Sequence, residues 1–167
     1  VSAFSKALVE LLVLEGGLVD NPADPGGRTN LGITQLTLDA VRSKYPGLPA
    51  KVDELTPDTV APVYKGEYWD AVRGDELPQA LASCVFKQAV NQGVPRAVIE
   101  LQQSLELIVD GNLGPVTVAA AQRKHPPDAV ADFIVASILN YTRSSNFATF
   151  GKGWIRRAAL TAVEAFA

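Results

Sequence analysis

Glu15 and the run that follows it hold the residue types best suited to proton chemistry in this chain. Glu15 closes an apolar stretch. After Gly16 and Gly17 comes a loop rich in Gly and Pro that carries Asp20, Asp24 and Thr29, then Thr34 and Gln35. A poorly solvated acid facing a wetter carboxylate is the arrangement that protonates a leaving oxygen while a second group steadies positive charge or activates water. Such chemistry cleaves an acetal, and a glycosidic bond is the usual one.

Other chemistries fit less well. A calcium loop starting at Asp20 fails, because Pro22 occupies a ligand position and Leu31 stands where a bidentate Glu is required. One Cys (Cys84) and one His (His125) cannot build a usual zinc site, and no Ser-His-Asp or Cys-His pairing is suggested by context. No Gly-rich phosphate loop occurs, and no metal or cofactor is expected. With one Cys there is no intrachain disulfide, and Cys84 reads as a small buried residue in an apolar run.

The elements that must position the acid are helices. Phe4, Leu8, Leu11, Leu12 and Glu15 recur at spacings of three and four, so the glutamate continues an apolar stripe. The last turn of a helix carries the negative end of its dipole, and an apolar face withholds water. Both favour the protonated carboxyl that a general acid needs. Gly16 and Gly17 supply the helix stop. The competing reading is a solvated glutamate at a frayed end. Asp20 and Asp24 also read as turn formers beside Pro, and Thr34 as the N-cap of the next helix.

Periodicity predicts helices near 2–15, 35–44, 57–71, 77–92, 94–107, 115–123, 127–145 and 149–165, with at most a small hairpin between 17 and 34. The chain has 167 residues, enough for one compact domain or two small ones, and 47% of them are hydrophobic, enough for a core. The net charge of −3 argues against nucleic acid as a partner. No stretch reaches the about 20 apolar residues that span a bilayer, so no stable membrane insertion is expected. Tyr64, Tyr68 and Trp69 share one predicted helix. The rings of Tyr68 and Trp69 suit stacking on a sugar face, and equally suit a core. The amides of Asn91 and Gln92 suit N-acetyl groups, or simply end a helix.

The run Glu15-Gly-Gly, Asn21-Pro-Ala-Asp24-Pro-Gly-Gly, Thr29-Asn, Gly32-Ile-Thr34-Gln35 closely resembles the opening of the family 108 glycoside hydrolases, N-acetylmuramidases found in phage endolysins and bacterial secreted lysozymes. The resemblance continues through Tyr68-Trp69-Asp70 and Phe86-Lys87-Gln88-Ala89-Val90-Asn91-Gln92-Gly93, where Lys87 replaces the family's common Asp. Val109-Asp110-Gly111-Asn112-Leu113-Gly114-Pro115-Val116-Thr117 resembles the family's C-terminal peptidoglycan-binding module.

The resemblance implies a mainly α, lysozyme-like helical fold with a cleft beside the first helix. It implies a catalytic part over 1–93, and a peptidoglycan-binding module over 94–167 packed against it. It implies hydrolysis of the β-1,4 bond between N-acetylmuramic acid and N-acetylglucosamine, with Glu15 as catalytic acid. By the looser likeness to phage lysozymes, Asp24 and Thr29 hold the attacking water, although Thr29 falls one place short of the usual spacing. Thr34, Gln35, Tyr68, Trp69, Asn91 and Gln92 are the expected substrate-binding residues. The expected partner is the peptidoglycan glycan strand, met by a monomer. A phage-derived enzyme of this kind is expected to wait in the host cytoplasm for a holin pore, then reach the periplasm and wall. Two alternatives stay open: a lytic transglycosylase giving 1,6-anhydro products, and a wall-binding phage protein without turnover.

Overall fold

The computed structural model describes residues 1–18 and 28–167. Asp20 and Asp24 lie outside the described residues. Among those described, eight α-helices and one two-stranded hairpin make a mainly α, lysozyme-like fold, as the sequence predicts. The chain divides into two compact units, Val1–Glu67 and Tyr68–Ala167.

The first unit opens with α1 (Ala3–Glu15), capped by the Ser2 hydroxyl, which accepts from the Ser5 amide at 3.1 Å. Phe4, Ala7, Leu8 and Leu11 form its buried stripe, and Gly16, at φ +79°, ends it. β1 (Thr29–Asn30) and β2 (Ile33–Thr34) pair antiparallel, Thr29 opposite Thr34 and Asn30 opposite Ile33. The connecting Leu31 and Gly32 both have positive φ, +50° and +77°, the geometry of a tight turn whose twist matches that of its strands. Asn30 and Ile33 face inward. The buried Asn30 amide donates to the Val52 carbonyl at 2.8 Å and so ties the hairpin to the 3-10 turn Val52–Glu54.

Helix α2 (Gln35–Val41) starts at Thr34, whose hydroxyl accepts from the Thr37 amide at 3.1 Å. Helix α3 (Pro57–Tyr64) starts with Pro at its first position behind a Thr56–Thr59 capping box. The single helix expected over 57–71 is not one α-helix. After Tyr64 the backbone widens into a π turn, Lys65–Trp69. Tyr64 and Trp69 are both buried although five residues apart, a spacing that a regular α-helix turns by about 140°.

In the second unit α4 (Gln79–Gln92) is buried continuously from Leu81 to Ala89, with α5 (Val94–Ser104), α7 (Pro126–Tyr141) and α8 (Phe147–Glu164) packed around it. A helix enclosed on all sides needs no polar face, yet α4 brings Lys87 and Gln88 inside. Gly93, at φ +88°, makes the corner from α4 into α5. α6 (Pro115–Arg123) follows a loop organised by the buried Gln102. Its carboxamide donates to Asp110 at 2.6 Å and accepts from the Gly111 amide at 2.9 Å. The Asn112 amide at 2.8 Å holds the Asp110 carboxyl below the usual carboxylate range. No helix among the described residues is long and apolar enough to cross a membrane.

Candidate active site

Three elements of the first unit converge on Glu15. The side chain is half-buried at the end of α1, and its carboxylate lies against the backbone of Gly32 in the hairpin turn. A Cβ at position 32 would stand 3.1 Å from both Cγ and Oε2 of Glu15 and 2.6 Å from the hydroxyl of Tyr64. Only glycine leaves room for both groups, and only glycine adopts that φ without strain. Tyr64, at the end of α3, donates its hydroxyl to the Leu31 carbonyl at 2.8 Å. The phenol thus fastens the turn that carries Leu31 in the left-handed region, a conformation costing a non-glycine residue about 1–2 kcal/mol. A sequence search for acids misses both partners. Gly32 reads as an ordinary turn former, and the burial of Tyr64 is visible only once α3 has docked.

The other expected residues divide between the units. Thr29 is half-buried on β1, on the same hairpin as the turn at Glu15. Thr34 serves as the cap of α2. Gln35 is committed to the scaffold: its carboxamide donates to Asp39 and to the Ala50 carbonyl, both at 2.9 Å, and accepts from the Val52 amide at 3.1 Å. Asp24 lies outside the described residues.

In the second unit Tyr68 is half-buried in the π turn. Trp69 corrects the expectation of a sugar platform. It is fully buried, edge-on to Phe86 at 5.6 Å between ring centroids, with its indole N–H donated to Asp75 at 2.9 Å. A ring with no exposed face cannot stack on a sugar. Asn91 accepts from Arg157 at 3.0 Å, and Gln92 is exposed at the end of α4. Lys87, where the family commonly has Asp, is buried and paired with Glu164 at 2.8 Å.

A second acid on an apolar helical face, Glu100, was not among the sequence candidates. It shares the stripe of Ala97, Leu101 and Ser104 and is fully buried. Its carboxylate accepts from Gln88 at 2.7 Å, Ser137 at 2.8 Å and Asn140 at 2.5 Å. Tyr141 completes the network by donating to Gln88 at 2.8 Å, and burial pushes its phenol above the ordinary tyrosine value.

A helical, lysozyme-like body with a glutamate held at the end of its first helix against a hairpin turn is the architecture of a lysozyme-like glycoside hydrolase. Comparison with known proteins gives the family. The glycosyl hydrolase 108 family matches residues 8–93. The structure described as "Structure of Brucella abortus SagA" is similar over 98% of this chain and 93% of that one, with 34% identity and a TM-score of 0.81. No curated protein matches in sequence. The chain belongs to the glycosyl hydrolase 108 family and is a peptidoglycan-acting hydrolase.

Proposed function

We propose that this chain is an N-acetylmuramidase that cuts the β-1,4 bond between N-acetylmuramic acid and N-acetylglucosamine, with Glu15 as general acid. The observation that supports the assignment is the seating of the Glu15 carboxylate against Gly32, with Tyr64 fastening the turn. Fixed backbone on one side leaves the carboxyl few orientations, which is what directed proton transfer requires.

Glu15 gives its proton to the bridging oxygen as that bond breaks and positive charge grows on the anomeric carbon. Water then adds its hydroxyl to that carbon. Its remaining proton passes to a carboxylate, a role we assign to Asp24, with Thr29 orienting the water. General acid catalysis contributes roughly two to four orders of magnitude. The remainder comes from charge stabilisation and sugar distortion. The part over 94–167 serves to hold the wall, and the enzyme acts there after release from the cell that makes it.

Glu15→Gln should reduce reducing-end release from purified sacculi by at least about 100-fold while leaving the melting temperature unchanged. Near-normal release in this variant removes Glu15 from the mechanism. Mass spectrometry of the wild-type products carries the bond assignment: reducing N-acetylmuramic acid ends support hydrolysis, and 1,6-anhydro ends replace it with transglycosylation.

A further inference from the structure

A groove of about 320 Å³ lies wholly within the second unit, between the end of α4, the start of α5, the end of α7 and the middle of α8. Gln92, Arg96, Asn140, Arg143 and Trp154 line it, and none of its lining residues is a carboxylate. That is unexpected in a chain where 18 acids outnumber 15 Lys and Arg. Among the described residues the Arg143 guanidinium has no ion-pair or hydrogen-bond partner. Arg96 donates only to a neutral acceptor, the Asn140 amide oxygen, at 3.1 Å. Two guanidinium groups therefore line the same space, neither of them in a direct salt bridge.

Arg96 is also positioned from beneath. The other end of the Asn140 amide donates to the fully buried Glu100, which Gln88 and Ser137 hold in turn. The buried network thus fixes the orientation of the amide on which Arg96 rests. Beside the arginines stands an aromatic wall. Trp154 contacts Tyr141 at 5.7 Å and Phe150 at 6.0 Å between ring centroids, and Phe150 is 54% exposed. Paired guanidinium groups bind carboxylates bidentately, and an aromatic wall suits small aliphatic side chains.

We propose that this groove binds the peptide stem of peptidoglycan, with Arg96 and Arg143 taking its free carboxylates and Trp154 its alanyl methyl groups. The assignment of a ligand class rests on the wall-directed reading above, and the site is separate from Glu15. It gives an acidic protein the local attraction toward an acidic polymer that its net charge withholds.

The test uses the full chain, labelled with ¹⁵N and titrated with a synthetic stem pentapeptide bearing a free C-terminal carboxylate, and with the same peptide amidated. The free peptide should shift the Trp154 indole resonance. Affinity should fall about 10-fold on amidation and by at least as much in Arg96→Gln/Arg143→Gln. Arg96→Lys/Arg143→Lys should recover part of the loss, with dispersed spectra showing that every variant folds. Equal affinity of the double glutamine variant and the unaltered chain overturns the proposal, as does the absence of any Trp154 shift. Tighter binding to anionic phospholipid vesicles than to the peptide also overturns it. Failure of the enzymatic reading shows elsewhere, as no bond cleavage in sacculi, and leaves these peptide affinities as they are.

Discussion

Glu15 and Glu100 make the most instructive pair in the molecule. Each is an acid on the apolar stripe of a helix, so pattern alone treats them alike. In the second unit Glu100 is fully enclosed and accepts from three neutral side chains, which join α4, α5 and α7 through one carboxylate. In the first unit Glu15 stays half-open at a helix terminus, facing backbone at a glycine. A carboxylate saturated with donors and closed to substrate is scaffold, because its lone pairs are spent on holding helices. One that keeps an approach to solvent beside a fixed surface can exchange a proton with a substrate. Burial, rather than residue type or face, separates the two roles.

The contrast predicts opposite phenotypes. The largest effect is the catalytic loss in Glu15→Gln given above, without loss of stability. Glu100→Ala should do the reverse. It removes the shared acceptor of the buried Gln88 and Ser137 and the half-buried Asn140 and should destabilise the chain by about 3 kcal/mol in urea unfolding, while activity per folded molecule on soluble glycan without stem peptides stays near normal at low temperature. Activity loss in a stable Glu100→Ala protein would break the comparison.

Gly32→Ala joins the two kinds of effect. The new Cβ meets the Tyr64 hydroxyl and Glu15 in a backbone conformation unfavourable to alanine. It should cost about 1–3 kcal/mol and lower kcat more than it raises KM, a split readable from initial rates on soluble glycan.

Thr34→Ala removes a cap from α2 and should cost about 1 kcal/mol with KM unchanged. A raised KM would mark Thr34 as a sugar contact as well as a cap.

The smallest effect is at Glu67 in the first unit. The Lys44 ammonium at 2.6 Å and the Tyr45 hydroxyl at 2.8 Å hold its carboxyl below the usual glutamate value. Folding therefore favours the ionised form. The contribution is full at neutral pH and disappears as pH falls through the lowered folded value. The melting temperatures of wild type and Glu67→Gln should differ slightly at neutral pH and converge in acid. Lys44 is mostly exposed and Glu67 about one third exposed, so solvent screens the pair and the gap stays small.

Much of this architecture was legible before any coordinates. Thr34 and Thr56 announce helix starts, and Pro57 and Pro115 mark first turns, because capping depends on neighbours two or three residues away. The helix over 77–92 forms from Gln79 to Gln92, starting after Pro78, and the hairpin falls inside the expected 17–34 window. The long helix over 57–71 does not survive, since the π turn answers to the burial of both Tyr64 and Trp69 and not to local preference.

The candidate site was legible only in part. Glu15 stands out by its stripe and its Gly-Gly stop. Trp69 offered sugar stacking and core packing equally, and Phe86, 17 positions along the chain, makes it core. Gln35 likewise becomes a brace through Ala50 and Val52.

Sequence by itself determined where most helices begin, which faces are apolar, and that an acid closes the first helix. These follow from interactions within one or two turns. Only the tertiary structure decided that Gly32 and Tyr64 meet at Glu15, that Glu100 is sealed by Gln88, Ser137 and Asn140, and that two arginines outside any direct salt bridge share a groove. Those facts join residues 12 to 49 positions apart, and the way whole helices pack, rather than any local preference, determines such distances.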